Sequence, residues 1–459
     1  MQEANPFKSY RLPALLLISF CGYAVTAYGI ERSSFPVLIS IFAVLFACYY
    51  WSIKWVDSSR QLKWAIGAAI LFRVLLIFAL PNLSDDFYRF IWDGNLLVNG
   101  INPFAHTPEY YIQNGLPEFL SAELFNNLNS AQYYTIYPPV SQFVYVFAAS
   151  LFGTQLLGNV VVMKVIMVLA EIGSIWLLIK LLQHFELSKK WVLLYALNPL
   201  IILELTGNLH FEGVMIFFLL LAYYLFLKKK LWPAAICFLL AVNTKLIPLL
   251  LMPYLVFSLG WKRSAGLITV LGLGTVLLHL PFLDQTFINN FSDSLGLYFQ
   301  TFEFNASIYY LVRWMGFQVE GYNIIQTAAP RLAMASTAII VILSWLYRRA
   351  SLKNLPVMYI ILFGIYYLFS TTVHPWYVSS LVAFLPLSGL VFPLAWSALI
   401  PLTYITYTTL AYTENLWLVG LEYIIITAVI GFDWYHRKKD ADPKLVRIFP
   451  GAMSFNESS

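Results

Sequence analysis

The chain has 459 residues, 60% hydrophobic and 11% charged, with a mean hydropathy of +0.72 and a formal net charge of +5. Ordinary soluble chains are about 45–50% apolar, so this composition excludes a soluble globular enzyme and predicts an integral membrane protein with many helical spans. Its basic residues sit in short clusters between apolar runs, which fits the positive-inside bias and excludes nucleic-acid binding, where one concentrated basic face is needed.

Residues 12–30 form the first predicted span. It follows Lys8 and Arg11, has no small-residue cleavage site after it, and is read as a retained span rather than a signal peptide. Residues 35–53 form the second, and the connection with Lys54, Arg60 and Lys63 is expected on the cytoplasmic side. Residues 62–80 then run outward, which places residues 81–157 outside. That segment is too long for a plain connector and is expected to be functional. Its apolar piece, residues 143–152, is too short to cross and is read as an interfacial helix. An inward crossing there would put Lys180, Lys189 and Lys190 outside, against the charge rule.

Further spans are predicted at 160–182, 191–205, 211–227, 231–242, 247–259 and 264–281, followed by a second outer segment at 282–330. Spans at 332–347, 355–370, 377–390, 393–412 and 416–432 complete the chain, with a polar cytoplasmic tail at 433–459. The fold class expected is an all-α polytopic membrane protein, a single domain of roughly 12–14 transmembrane helices with short interfacial helices on its outer loops and both termini cytoplasmic. Cys21, Cys48 and Cys237 lie in apolar runs at irregular spacing and predict neither a disulfide framework nor a zinc site.

With this topology the unusual polar residues fall on the outer face. Asp85, Asp86, Arg89 and Asp93 crowd into one stretch after the third span. Glu204, Asn208, His210 and Glu212 lie in the next outer turn, Lys245 follows Asn243-Thr244, Asn305 and Arg313 lie in the second outer segment, and His374 precedes Pro375-Trp376-Tyr377. Ionisable groups at span ends are costly unless they line a cavity or bind something. Together they suit a site in which cations face an anionic ligand and a carboxylate acts as base. Each also has a plainer reading. Asp85 or Asp86 is equally suited to cap the helix that follows, and Arg89 to pair with Asp85 or Asp93. Lys245 suits snorkelling, Arg313 a surface cation, and His210 and His374 packed histidines. Glu171, inside a span, reads as a helix–helix hydrogen-bond partner, and Lys164 as either its mate or a headgroup anchor. The Trp and Tyr residues read mostly as interface belts.

These residues resemble the GT-C glycosyltransferases, and within them most closely the bacterial polyprenol-phosphate-mannose-dependent mannosyltransferases. The resemblance is carried by Ser84-Asp85-Asp86-Phe87-Tyr88-Arg89 opening the major outer loop and by Tyr137-Pro138-Pro139-Val140-Ser141 late in it. Asn198-Pro199 with the turn from Gly207 to Glu212, Lys245-Leu246-Ile247-Pro248, and His374-Pro375-Trp376-Tyr377 complete it. It covers the chain from about residue 62 onward, so residues 1–60 read as two extra N-terminal spans. The resemblance implies inverting transfer of a hexose, mannose first, from a polyprenyl-phosphate sugar donor to a glycan or lipid-linked acceptor at the outer face of a bacterial inner membrane. Asp86 or Asp85 would be the base, and Lys245, Arg313, His210 and His374 would hold the donor phosphate. Arg89, Asp93, Tyr88, Trp92, Glu212, Asn305 and Tyr137 would contact sugar or acceptor. The lipid bilayer and these substrates are the expected partners. No cofactor is expected; metal-dependent members exist in the superfamily, but no ligand spacing here indicates one. A lipid-linked sugar flippase, or a membrane glycan polymerase or ligase, is the competing reading. A flippase predicts polar residues spread through the midplane and repeat symmetry, and neither is visible.

Overall fold

The computed structural model describes residues 6–284, 286–409 and 412–439, and within them it is helical, with one isolated parallel bridge between Phe304 and Thr372. The all-α polytopic class stands. Among the described residues seven helices are long and apolar enough to cross a membrane: Tyr10–Gly29, Phe35–Trp55, Leu156–His184, Trp261–Phe282, Ile325–Leu346, Leu352–Phe369 and Leu416–Arg437. Most of the remaining spans expected from the sequence form shorter or broken apolar helices. One is broken at Asn198-Pro199, where the pieces Lys189–Ala196 and Pro199–Gly207 meet at 50°. Proline has no N–H to continue the ladder and disfavours helical geometry at the residue before it. The Asn198 side chain then accepts from Leu200 N at 3.0 Å and caps the new helix. The third expected span stops at Leu75 rather than residue 80, and its start is set by a capping box between Ser58 and Gln61.

The packing falls into two units. Unit 1 comprises Met1–Leu83, Glu171–His210 and Pro375–Ser459. Its interior holds an ion pair between Arg73 and Glu171, both fully buried. Arg73 also donates to the Ala196 carbonyl at 2.7 Å, while Tyr195 and Thr206 hydroxyls donate to Glu171 at 3.1 and 3.0 Å. Glu171 is therefore a helix–helix partner as its position suggested, with Arg73 as its mate. The last helix runs past the expected residue 432 to Lys439, because Asp433 accepts from the Val391 and Phe392 amides and Arg437 donates to the Ser388 carbonyl. The rest of the expected tail, from residue 440, lies outside the described residues.

Unit 2 comprises Ser84–Ala170 and Phe211–His374. Helix Asp86–Val98 packs against helix Pro139–Phe152 so closely that a Cβ on Gly94 would meet the Tyr145 carbonyl oxygen at 2.5 Å. Phe90 and Tyr145 stack at 4.6 Å, with Phe211 edge-on to both. Helix Pro139–Phe152 buries Ser141, Gln142 and Tyr145 while exposing Phe143, Phe147 and Leu151, the two-faced pattern expected of an interfacial helix. Glu212–Leu227 and Leu231–Val242 form a hairpin around the Lys228–Lys230 turn. The two long segments at 81–157 and 282–330 are stitched together. Asn102 donates to the Phe282 carbonyl at 2.8 Å, Asn290 to the Phe104 carbonyl at 2.9 Å, and Ser294 to the Tyr134 carbonyl at 3.2 Å. Phe104, Phe282 and Phe287 pack as one cluster beneath them.

Candidate active site

The acidic stretch begins a helix whose first residue is Asp86, with Asp85 at the N-cap position. Asp85 makes no side-chain cap hydrogen bond, so the capping role open to it in the sequence is not taken up. Both carboxylates are half-buried. Asp86 Oδ1 accepts from the Asn129 side chain at 2.9 Å. Asn129 was not singled out by sequence: it lies in an Asn-rich loop, and only the folded loop brings it to Asp86.

What holds that loop is the Arg89–Asp93 pair. Arg89 Nε donates to Asp93 Oδ1 at 2.7 Å, one helical turn on, and both side chains are buried. Arg89 Nη1 also donates to the carbonyls of Ser130 at 3.2 Å and Tyr133 at 2.9 Å. Gln142 Nε2 bonds the other Asp93 oxygen at 3.0 Å and Thr135 at 3.2 Å. Arg89 and Asp93 thus clamp the loop next to Asn129. Trp92 is likewise fully buried, packed near Tyr111 and Phe125, and offers no exposed face. Tyr88 and Tyr137 remain half-buried, Tyr88 against Phe87 and Tyr137 edge-on to Phe90.

Lys245 forms an ion pair with Glu212, whose carboxylate is almost entirely buried and whose Oε2 has no hydrogen-bond partner among the described residues. Lys245 and Asp86 both act electrostatically on Glu212, so unit 2 brings two carboxylates and a cation within range of one another. The turn carrying Lys245 is fixed to the segment at 81–157: Val140 N donates to the Asn243 carbonyl at 2.9 Å and Ser141 Oγ to the Thr244 carbonyl at 3.0 Å. The Tyr-Pro-Pro-Val-Ser element therefore docks the loop end against the Lys245 turn.

His374 is buried near the rings of Phe302 and Phe304, with centroids at 5.8 and 4.8 Å. Burial, and secondarily the Lys245 charge, push its pKa down to about 3. It is a neutral imidazole at pH 7 and offers a hydrogen bond rather than a charge. Asn305 sits in the neighbouring segment, buried, at φ +47, a backbone state that Asn tolerates better than most residues. Phe304 N donates to the Thr371 carbonyl at 3.0 Å and Val373 N to the Phe304 carbonyl at 2.8 Å, which ties Asn305 to the approach to His374. Arg313 pairs with Glu303 and lies over the Tyr310 ring at 4.3 Å.

His210 belongs to unit 1. Its ring stacks on Trp376 at 3.8 Å with Nε2 3.5 Å from Glu204. The residue before it, Leu209, has φ +61, unusual for a bulky side chain, and it follows a π-helical turn at Ile202–Gly207. Among the described residues no group of three His, Cys, Asp or Glu is placed to hold a metal ion.

Comparison with known proteins bears on what this arrangement serves. The family model described as alpha-(1->6)-mannopyranosyltransferase, N-terminal domain, matches residues 19–260, more than half of the chain. The match begins inside the first apolar helix and takes in the acidic stretch, the turn at His210 and Lys245. A curated relative, alpha-(1->6)-mannopyranosyltransferase A of Corynebacterium glutamicum, is 25% identical over 194 residues, 42% of this chain. The matched region spans 38% of that relative's length.

Proposed function

Because the chain belongs to the alpha-(1->6)-mannopyranosyltransferase family, we propose that it transfers mannose from a polyprenyl-phosphate donor to a glycan or lipid-linked acceptor at the outer face of a bacterial inner membrane. The observation that carries this reading is the grouping in one unit of Asp86, Glu212 and the Lys245 cation. A single displacement at the anomeric carbon needs a base on the acceptor side and a counter-charge for the departing phosphate.

In the proposed step the acceptor hydroxyl oxygen attacks the anomeric carbon, and its proton passes to the Asp86 carboxylate. The bond from anomeric carbon to phosphate oxygen breaks, and its electron pair leaves with the polyprenyl phosphate. Inversion means that an α product requires a β-linked donor. Asn129 orients Asp86 through Oδ1. The Lys245 ammonium, which donates to Glu212, is our candidate for the leaving phosphate. Neutral His374 would add a hydrogen bond. Glu212, Asn305, Tyr88 and Tyr137 are assigned to sugar or acceptor contacts, and Arg313 to donor phosphate on its charge alone. Asp85 is placed as a neighbouring carboxylate rather than the base. We propose no cofactor and no metal.

The orientation, with both termini cytoplasmic, is supported by the basic turns. Lys54 lies over Trp51 at 4.9 Å, Arg60 over Trp64 at 4.9 Å and Arg348 over Trp345 at 4.1 Å, the cation-over-aromatic pairing suited to a headgroup layer. The donor is tested with purified protein, an oligomannoside acceptor and radiolabelled mannose supplied either as polyprenyl-phosphate-mannose or as a sugar nucleotide. Transfer from the lipid donor alone is expected. Transfer from the nucleotide alone would overturn the reading.

A further inference from the structure

Helix Ile308–Val319 presents an apolar surface that no described residue covers. Its inward side is Tyr309 and Gly316: Tyr309 is buried with Ala306, Ile325, Ala328 and Ala329, and a Cβ on Gly316 would come within 2.6 Å of Ile324. On the outward side Leu311 is 68% exposed, Trp314 64% and Val319 80%, with Met315 and Phe317 beside them. Twelve residues make a helix of about 18 Å, too short for a hydrocarbon core of about 30 Å.

Its one charged side chain, Arg313, is neutralised by Glu303 and lies over the Tyr310 ring. Glu303 in turn accepts from the Tyr309 hydroxyl at 2.7 Å and from Asn323 at 3.3 Å. That network pairs the polar groups at the root of the helix with one another. After five intervening residues the spanning helix Ile325–Leu346 begins, mostly unburied, with Met334, Ile342 and Trp345 exposed. The apolar face of the short helix is thus continuous in chain with a lipid-facing surface, and the exposed Tyr322 sits at the junction.

We propose that helix Ile308–Val319 lies in the interface of the outer leaflet, its Leu311, Trp314, Met315 and Val319 side among acyl chains. Bilayer lipid is the occupant of this face. The helix then anchors the segment that holds Asn305 and, through the Phe304–Thr372 bridge, the approach to His374. The interfacial placement stands on the helix itself and is independent of the reaction assigned to the site, while the choice of leaflet rests on the proposed orientation.

The test uses nitroxide labels at Leu311→Cys and, separately, Gln318→Cys on the same exposed side, in full-length protein lacking Cys21 and Cys237. The protein is reconstituted in vesicles of phosphatidylethanolamine and phosphatidylglycerol. A label at Asn114→Cys, exposed in the first outer segment, serves as the aqueous reference. Accessibility to oxygen relative to a water-soluble nickel chelate is expected several-fold higher at 311 and 318 than at 114. A ratio at 311 and 318 equal to that at 114 overturns the proposal. So does shielding that arises only as protein density rises, which would make a second copy the occupant, or only on adding a polyprenyl phosphate, which would make the substrate chain the occupant.

Discussion

Replacing Arg89 by Met separates two jobs that the clamp performs. Arg89 and Asp93 are buried, and the pair is hydrogen-bonded at 2.7 Å. Removing one member of a buried pair strands the other charge, at a cost of about 3–5 kcal/mol. Arg89→Met and Asp93→Leu should each fall in that range. The double variant strands no charge. What it loses is the set of hydrogen bonds to Ser130, Tyr133 and Gln142, at about 1 kcal/mol each, for a total near 3 kcal/mol. It should therefore be no less stable than either single variant, and several kcal/mol more stable than their sum. Equilibrium unfolding in mixed detergent micelles, followed by far-UV circular dichroism, reads this coupling. Mannosyl transfer should not recover in the double variant, because the loop beside Asn129 is still released. Displacing a positioned group by about 1 Å commonly costs about 100-fold in rate. Additivity of the single variants within about 0.5 kcal/mol would refute the clamp. Recovery of activity along with stability would refute its role in positioning.

Three further outcomes are expected. Asn129→Ala should lower kcat about tenfold with KM and thermal stability unchanged, and Asn129→Asp should lower it further by setting a second carboxylate against Asp86; an unchanged kcat in both would remove Asn129 from the account. Gly94→Ala gains roughly 1 kcal/mol of helix propensity but drives a Cβ into the Tyr145 carbonyl, an overpacking cost of about 1–3 kcal/mol, so unfolding should show a net loss or no gain. A clear rise in stability would mean that the two helices are not so close. His374 has a folded pKa of about 3 against about 6.5 when unfolded, so between those values the unfolded chain binds a proton that the folded one does not. Its contribution is complete above pH 6.5 and is lost as pH falls, at about 1.4 kcal/mol per pH unit, and His374→Gln should flatten that part of the stability curve; an unchanged slope would contradict its burial as the neutral form.

The helical class was legible because apolar runs and basic turns obey simple solvent rules, and the helices fall close to the expected spans. The break at Asn198-Pro199 was also written in the chain, since proline and a capping asparagine stop a helix, but hydropathy runs straight through it. Arg73 carried a signal that hydropathy hides: an arginine inside an apolar run needs a partner, and Glu171 is the matching acid inside another. A spacing of four left Arg89 open to Asp85 or Asp93, and the fold selects Asp93. Asn129 and Gln142 did not follow from any pattern, because their partners lie 43 and 49 residues away. Arg313 stood out as a cation, yet its pairing with Glu303 needs the turn between them to fold.

The central claim is that Asp86 takes the acceptor proton during mannosyl transfer. Asp86→Asn keeps the shape and the Asn129 contact while removing basicity, and general-base catalysis is worth about 100- to 10,000-fold. Single-turnover transfer from radiolabelled polyprenyl-phosphate-mannose should fall by that order in Asp86→Asn and much less in Asp85→Asn, with both variants folded. Transfer by Asp86→Asn at the parent rate would contradict the account.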